Sequence, residues 1–376
     1  MKPIFFYGSL RDHDLLEIVL DRPVAAGEVV PAIAPDHMTC RLVTDAYPIL
    51  VDDVGAEAHG CVLLAPTDLD IDRMIYFEEA EYGLVDIQVE TEDGPVAALY
   101  FRGTDKQPPT DLPWNYAQWR ANDRAAALHA AREYMSYYSK LTITEVDALW
   151  KGIMDRAHQR ARAEGETVPR SGLRSDYGPA DLLRVDHAHV YSGFLAVEEH
   201  TLRHKRFDGS WTEEVSRTVA IWGDAAVILP YDPKRDRVML IEQFRAGPSV
   251  RRDPNPWCIE VIAGRIEPEE SAEATARREA AEEGGVEIGR IAPLPAYYPS
   301  PGLVAEKFYS FVGEADLPGD GGLHGNPDEG EDIRTLILPF EEAQKALMAG
   351  EINTAIGQTT LYWLLSERHR LQAEWT

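Results

Sequence analysis

The sequence predicts an α/β protein in three parts. These are a strand-rich segment over residues 1–108, a helical connector over 109–180, and an α/β/α sandwich with a mixed sheet over 181–376. Three observations carry this reading. Short apolar runs between turn residues fill the first hundred positions. A stretch rich in Ala and Arg and free of proline follows Gln107–Pro113. Strand-like and helix-like segments then alternate to the C-terminus, as in a sheet sandwiched by helices. With 376 residues, 44% of them apolar, the chain is long enough for two domains with separate cores.

The elements follow in order. Ile4-Phe5-Phe6, Gly60–Leu64 and Ala97–Phe101 read as buried strands, with a helix over Asp68–Phe77. Gln107–Pro113 breaks the pattern. Asp123–Tyr134 is a strong helix former, and Thr144 is a candidate N-cap for the next helix, with Asp147 as its partner. Glu164–Gly172 is polar and turn-rich, as a linker is. Beyond it, His189–Val197, Thr201–Phe207 and Trp211–Val219 read as strands around an Asp208-Gly209 turn. Further strands are expected at Ala225–Tyr231, Val238–Glu242, Trp257–Ile262, near Leu294, Phe308–Val312 and Ile333–Leu338. Phe340–Ala349 and Thr359–Glu374 close the chain as helices.

Composition narrows the function. The net charge of −27 leaves no basic stripe for phosphate-rich polymers, so nucleic acid is not an expected partner. An anionic substrate would have to be met by local arginines and metal. No apolar run approaches a membrane span, and the N-terminal apolar run is too short for a signal peptide. Cys40, Cys61 and Cys258 are scattered without a CxxC, which suits a reducing, cytoplasmic setting.

The densest signal is Gly264–Val286. It reads as a glycine, five residues, Glu270, seven residues, then Arg278-Glu279-Ala-x-Glu282-Glu283-x-Gly285-Val. Ala272–Glu283 is helix-forming, and Gly284-Gly285 ends it. Positions three and four apart share a helix face, so Glu279, Glu282 and Glu283 project together. Carboxylates so crowded repel unless a cation lies among them. Mg²⁺, or Mn²⁺ in its place, takes such oxygen ligands together with substrate phosphates. Arg278 would pair with Glu282 or Glu270 and orient the cluster. The bland alternative is a solvated acidic face.

This pattern fits the Nudix box without a mismatch, and the resemblance extends along residues 185–376 to the ADP-ribose pyrophosphatase branch of that family. Leu240-Ile-Glu-Gln-Phe-Arg245 and Ile259-Glu-Val-Ile-Ala-Gly264 are similar to that branch's strands. Pro301 stands sixteen residues after Gly285, where the branch carries a proline, and Asp328–Arg334 resembles its acidic loop. The resemblance implies Mg²⁺ ligation by the Ala263 carbonyl and by Glu279, Glu283 and Glu331, with Glu282 nearby. It implies Glu329 as base or water orienter, Glu283 as a catalytic residue and Glu282 as a further metal ligand, and Arg245 and Arg217 as substrate contacts. It also implies a strand-exchanged homodimer and hydrolysis of ADP-ribose to AMP and ribose 5-phosphate. Alternatives are another nucleoside diphosphate derivative (a sugar nucleotide, NADH or FAD) and a sensor that binds ADP-ribose without cleaving it.

Tyr7-Gly8-Ser9-Leu10 resembles the loop of γ-glutamylcyclotransferase-like (AIG2-like) domains, which are mixed β-barrels. There the loop amides hold a γ-glutamyl carboxylate, and a Gly-Ser turn after a strand can form such an anion nest. The family's acid/base would be Glu78, with Glu79 the alternative. Met74-Ile75 stands where the family has Leu-Asp. A binding or structural role is the other reading. The pairing of the two domains resembles tellurite-resistance-associated proteins, although no residue suggests a role for tellurite.

Overall fold

The computed structural model describes residues 1–42, 47–78, 82–103, 108–268, 270–325 and 330–376. Glu329, the expected base, lies outside them. The chain divides into two compact units, Met1–Arg174 and Ser175–Thr376.

The first unit runs β1 (Ile4–Phe6), α1 (His13–Leu20), β2 (Val29–Leu42), β3 (Pro48–Leu63), α2 (Asp68–Phe77), β4 (Tyr82–Thr91), β5 (Gly94–Gly103) and β6 (Pro109–Pro113). Helices α3 (Tyr116–Asn122), α4 (Arg124–Met135), α5 (Ile143–Asp147) and α6 (Trp150–Gly165) follow. The strands pair in the order β3-β1-β5-β4-β2, and β2 pairs with β3 to close a five-stranded barrel, with β6 added outside β2. The β1–β5 pair is parallel and the others antiparallel, so the barrel is mixed. Alternation along β1 sorts its side chains. Phe5 and, just beyond, Tyr7 join Val62, Val89 and Tyr100 in one core. Ile4 and Phe6 turn the other way, onto a cluster built with α1, α2, α4 and α6.

Residues 116–165 therefore belong to the packing of this unit: Trp119, Leu128, Tyr134 and Ile153 are part of that outer cluster. The cap of α5 is Thr142 rather than Thr144. Its hydroxyl accepts from the Glu145 amide, and the Glu145 carboxylate accepts from the Thr142 amide at 2.8 Å, a reciprocal capping box.

The second unit opens with an antiparallel sheet of β7 (Leu182–Ser192), β8 (Ala196–His204) and β9 (Val215–Ile221). These strands are displaced from the sequence reading, which placed one across Ser192–Ala196. Residues 193–195 are instead the turn between β7 and β8. Asp208-Gly209 does lie in a turn, with Gly209 at φ +86°.

Then come β10 (Ala225–Asp232), β11 (Arg237–Phe244), α7 (Ala246–Arg251), β12 (Trp257–Glu260), β13 (Ile262–Arg265), α8 (Ala272–Gly284), β14 (Ile291–Pro293), β15 (Phe308–Glu314), β16 (Leu323–His324), β17 (Ile333–Pro339), α9 (Phe340–Ala349) and α10 (Ala355–Trp375). Their mixed sheet has the order β14-β15-β10-β11-β17-β16, with β12 on β11 and β13 on β10, and the β10–β15 pair is parallel. Strand β10 is buried throughout. Val227, Leu229 and Tyr231 face a core with α9 and α10, while Ala226 and Ile228 face one with α8. That two-sided burial is the α/β/α sandwich. Among the described residues, no helix is long and apolar enough to cross a membrane.

Candidate active site

The site is assembled from β13 and α8, which the box sequence shapes locally. Ser271 caps α8 by accepting the Ala274 amide at 3.1 Å. Gly285 ends the helix at φ +61°, and its amide donates to the carbonyls of Ala280 and Ala281. Gly264 is needed for a different reason. Strand β13 runs so close under α8 that a Cβ there would fall 1.8 Å from Glu279 Oε1. The first glycine of the box is thus the floor on which Glu279 lies.

Glu279 and Glu283 are one turn apart and both turn inward. Glu283 is only 4% exposed, and the Ala263 amide donates to its Oε2 at 3.4 Å. Burial, then the charges of Glu279 and Glu331, push the Glu283 carboxyl up to about 8. Arg245 and the Ala263 amide pull weakly the other way. Glu279 is also raised, chiefly by burial, against the pull of Arg278. Three carboxylates from α8 and the segment before β17 thus feel one another, with Arg278 drawing on Glu279 and Arg245 on Glu283. Ala263 lies beside them on β13, opposite Val227 of β10. This donor set of hard oxygens fits a divalent metal ion.

Glu282 is exposed and sits at the rim, where Arg278 Nη1 donates to it at 3.0 Å. The same guanidinium donates to Glu279 at 2.8 Å and makes two 3.0 Å bonds to Glu270. The pairing left open between Glu270 and Glu282 is resolved as both. Glu270 accepts from Thr275 Oγ1 as well, at 2.8 Å. Arg278 therefore holds Glu279 from a fixed anchor.

Arg245 follows β11, and its Nε donates to Glu260 Oε2 at 2.7 Å. Glu260 is 4% exposed and its carboxyl is raised, mainly by burial. With Nε engaged, the guanidinium presents its Nη edge. Arg217 is exposed on β9 and donates to the Ser216 carbonyl at 2.7 Å. Pro301 is exposed in a loop stitched to the end of β9. Ala220 donates to the Leu303 carbonyl at 2.9 Å, and Ala305 to the Ala220 carbonyl at 3.0 Å.

Two features have no sequence signal. Glu306, beyond that loop, is pushed up to about 7 by burial and by Asp224. Phe194, 73% exposed between β7 and β8, meets the half-exposed Trp222 edge-on at 4.5 Å between centroids. Such an open aromatic pair offers faces on which a planar base can stack.

In the first unit, Ser9-Leu10-Arg11 forms one 3₁₀ turn after β1, with Leu10 buried. A Cβ on Gly8 would fall 2.5 Å from Pro48 Cγ. Tyr7 is buried and its hydroxyl donates to the Phe101 carbonyl at 2.8 Å. Glu78 ends α2, its amide donating to the Met74 carbonyl. Burial first, and the charge of Glu78 second, raise the Tyr7 hydroxyl well above its ordinary value. The structure thus brings the loop and Glu78 to the same part of the barrel.

Comparison with known proteins agrees with both halves. Residues 4–121 match the family described as Gamma-glutamyl cyclotransferase, AIG2-like. The ADP-ribose pyrophosphatase of Escherichia coli (strain K12) is 38% identical over 199 residues, which is 53% of this chain and 95% of that protein. That of Haemophilus influenzae is 34% identical over 188 residues, 50% of this chain and 87% of that protein. A GDP-mannose pyrophosphatase of Escherichia coli (strain SMS-3-5 / SECEC) is 37% identical over 139 residues, 37% of this chain and 71% of that protein. Residues 222–356 match the NUDIX domain, and with relatives this similar over nearly their whole length the chain belongs to the NUDIX family of hydrolases.

Proposed function

We propose that the C-terminal unit hydrolyses ADP-ribose to AMP and ribose 5-phosphate. The observation that carries this is the convergence of Glu279, Glu283 and Glu331, the first two raised by burial and then by their like-charged neighbours, in a chain whose relatives are ADP-ribose pyrophosphatases. Glu279, Glu283, Glu331 and the Ala263 carbonyl would hold Mg²⁺, or Mn²⁺, with Glu282 at the rim. When bound, the ion supplies positive charge to the diphosphate oxygens and makes water easier to deprotonate.

The protein's own groups do the rest. Arg278 fixes Glu279. Arg245, oriented by Glu260, offers its Nη edge to the diphosphate, and Arg217 is a second contact for the anion. Glu329 accepts the proton of the attacking water. Water adds to a phosphorus, the bond to the bridging oxygen breaks, and that oxygen leaves with the other phosphate. Pro301 shapes the loop beside β9. Scattered thiols suit a cytoplasmic setting, and a homodimer through the N-terminal strands of this unit is part of the same reading. The test is AMP release from ADP-ribose with Mg²⁺. An intact substrate after incubation would overturn the proposal, and tight binding without turnover would make the protein a sensor instead.

The relative that is a GDP-mannose pyrophosphatase favours a second reading, a sugar nucleotide as substrate. Comparison of kcat/KM across ADP-ribose, GDP-mannose, NADH and FAD decides between them. For the first unit we propose that the Tyr7–Leu10 loop binds a γ-glutamyl carboxylate and that Glu78 moves the proton in cyclotransfer. Absence of pyroglutamate from several γ-glutamyl dipeptides would leave it a binding or structural domain.

A further inference from the structure

Glu279 and Glu283 belong to α8, whereas Glu331 reaches them from the segment before β17. The spacing of the three carboxylates therefore depends on how that segment is held against the helix. Where the two meet stand one histidine and three glycines.

The ring of His324, on β16, lies against Gly285, the left-handed residue that ends α8. A Cβ on Gly285 would fall 2.7 Å from His324 Cε1 and 3.2 Å from its Nδ1. A Cβ on Gly322 would fall 3.2 Å from Nε2 of the same ring. The imidazole thus fills a slot that a side chain at either glycine would close. Among the described residues the ring has no hydrogen-bond or ion-pair partner, so its shape is what places it.

The next residue, Gly325, has φ +107°. A Cβ there would fall 3.0 Å from the Glu331 carbonyl oxygen and 3.1 Å from Glu331 Cβ. The backbone of Glu331 thus runs against the residue that follows His324. The register agrees, with His324 opposite Ile333 and Leu323 opposite Arg334. The Gly322 amide also donates to Thr335 Oγ1 at 2.7 Å. These contacts join β16 to β17. Ile333, buried with Ala276 and Ala280, ties β17 to α8. His324 adds a second tie at the end of the helix, two residues past Glu283. The charge of Glu331 is felt at both Glu279 and Glu283, as so close an approach requires.

We infer that His324 is a positioning residue: seated on Gly285, it sets the distance between Glu331 and the two carboxylates of α8. The inference rests on the reading of Glu331 as a metal ligand.

Mn²⁺ is the probe, titrated calorimetrically into the full-length protein after stripping with chelator. Affinity should fall roughly tenfold in Glu331→Gln and by a similar factor in His324→Ala. His324→Asn, which keeps a shorter planar group in the slot, should retain more of it. If His324 acts through Glu331, the losses overlap. In a Glu331→Gln background, His324→Ala should then change affinity by less than about twofold. A second readout needs no metal. In chelator, hydrogen exchange over residues 330–335 should lose protection in His324→Ala, while β10 keeps its own. Circular dichroism establishes that each variant is folded. Parental Mn²⁺ affinity in folded His324→Ala, or a loss that persists undiminished beside Glu331→Gln, overturns the inference. Failure of the metal reading looks different, because the parent protein then takes up no Mn²⁺. Exchange decides in that case, and unchanged protection over 330–335 overturns the inference.

Discussion

Glu283 of the second unit and Glu78 of the first are both candidate acid–base or ligand groups, yet their surroundings differ in kind. Glu283 is buried among other carboxylates and is pushed up to about 8, with Glu279 and Glu331 adding to the effect of burial. Glu78 lies at a helix end, where its charge acts on a buried phenol, Tyr7. The first arrangement stores repulsion that a cation relieves. The second has one negative charge beside a neutral hydroxyl and creates no comparable demand. Like-charge crowding in a buried place therefore separates the site proposed to hold a metal ion from the one proposed to move a single proton.

The largest expected effect breaks the first site. Glu283→Gln keeps shape and burial but removes a ligand charge. If Glu283 holds the metal as proposed, the variant should lower kcat for ADP-ribose on the order of a thousandfold. It should also stabilise the metal-free protein, and the sign follows from linkage. The folded-state value, about 8, lies above the ordinary 4.5. The unfolded chain thus releases this proton first as pH rises. The metal-free protein should lose stability from about pH 4.5 to 8, and Glu283→Gln should flatten that loss. Melting with and without Mg²⁺ checks it: the cation's stabilising effect should be greater at pH 8.5 than at pH 5. An equal effect at both would contradict the crowding argument.

Next in size is Gly264→Ala. The new methyl meets Glu279 Oε1 at 1.8 Å and Cγ at 2.6 Å, so that side chain must swing off its floor. A flexible end can yield, and the stability cost should be modest, about 1–3 kcal/mol. Activity should suffer more, roughly a hundredfold, with weaker Mg²⁺ affinity, because the proposed metal ligand Glu279 is displaced. A variant that melts earlier yet binds Mg²⁺ normally would show that Gly264 serves packing alone.

A smaller change is expected at Glu260, which acts through Arg245. Glu260→Gln keeps an acceptor but turns a charge-assisted bond into a neutral one. The expected result is a KM for ADP-ribose raised roughly tenfold with kcat changed less, and partial recovery in Glu260→Asp. A fall in kcat at constant KM would place Glu260 elsewhere in the reaction.

The acidic helix was legible because spacing on a helix is a geometric statement. Glu279 and Glu283 share a face wherever that helix packs. Burial then distinguishes them from Glu282, and burial depends on β13, which the helix sequence does not contain. The same limit explains the glycines. Their positions could be read, but the close approach at Gly264 and the left-handed cap at Gly285 are facts of packing and backbone. The strands β7 to β9 were misplaced because β7 is largely exposed and carries little apolar alternation. Thr142 was passed over for Thr144 because both precede acidic residues three positions on, and only one backbone is extended. Phe194, Trp222 and Glu306 have no spacing to betray them. They come together where the Pro301 loop joins β9 or where strands turn.

The smallest expected effect sharpens the contrast from the other side. Burial is the main cause of the raised Tyr7 hydroxyl, and the Glu78 charge is the second. Glu78→Gln removes only that charge, so the phenol should titrate lower, still above its ordinary value because burial persists. The difference spectrum of tyrosinate between this variant and one also carrying Tyr7→Phe isolates the group. Hydrolysis of ADP-ribose should stay within about twofold, since Glu78 belongs to a unit with its own core. If γ-glutamyl dipeptides yield pyroglutamate with the parent protein, that product should vanish with Glu78→Gln and survive Glu283→Gln. The reverse pattern would mean that the two glutamates serve one chemistry. An unchanged Tyr7 titration would mean that Glu78 does not face the loop, and the proposed proton transfer would lose its base.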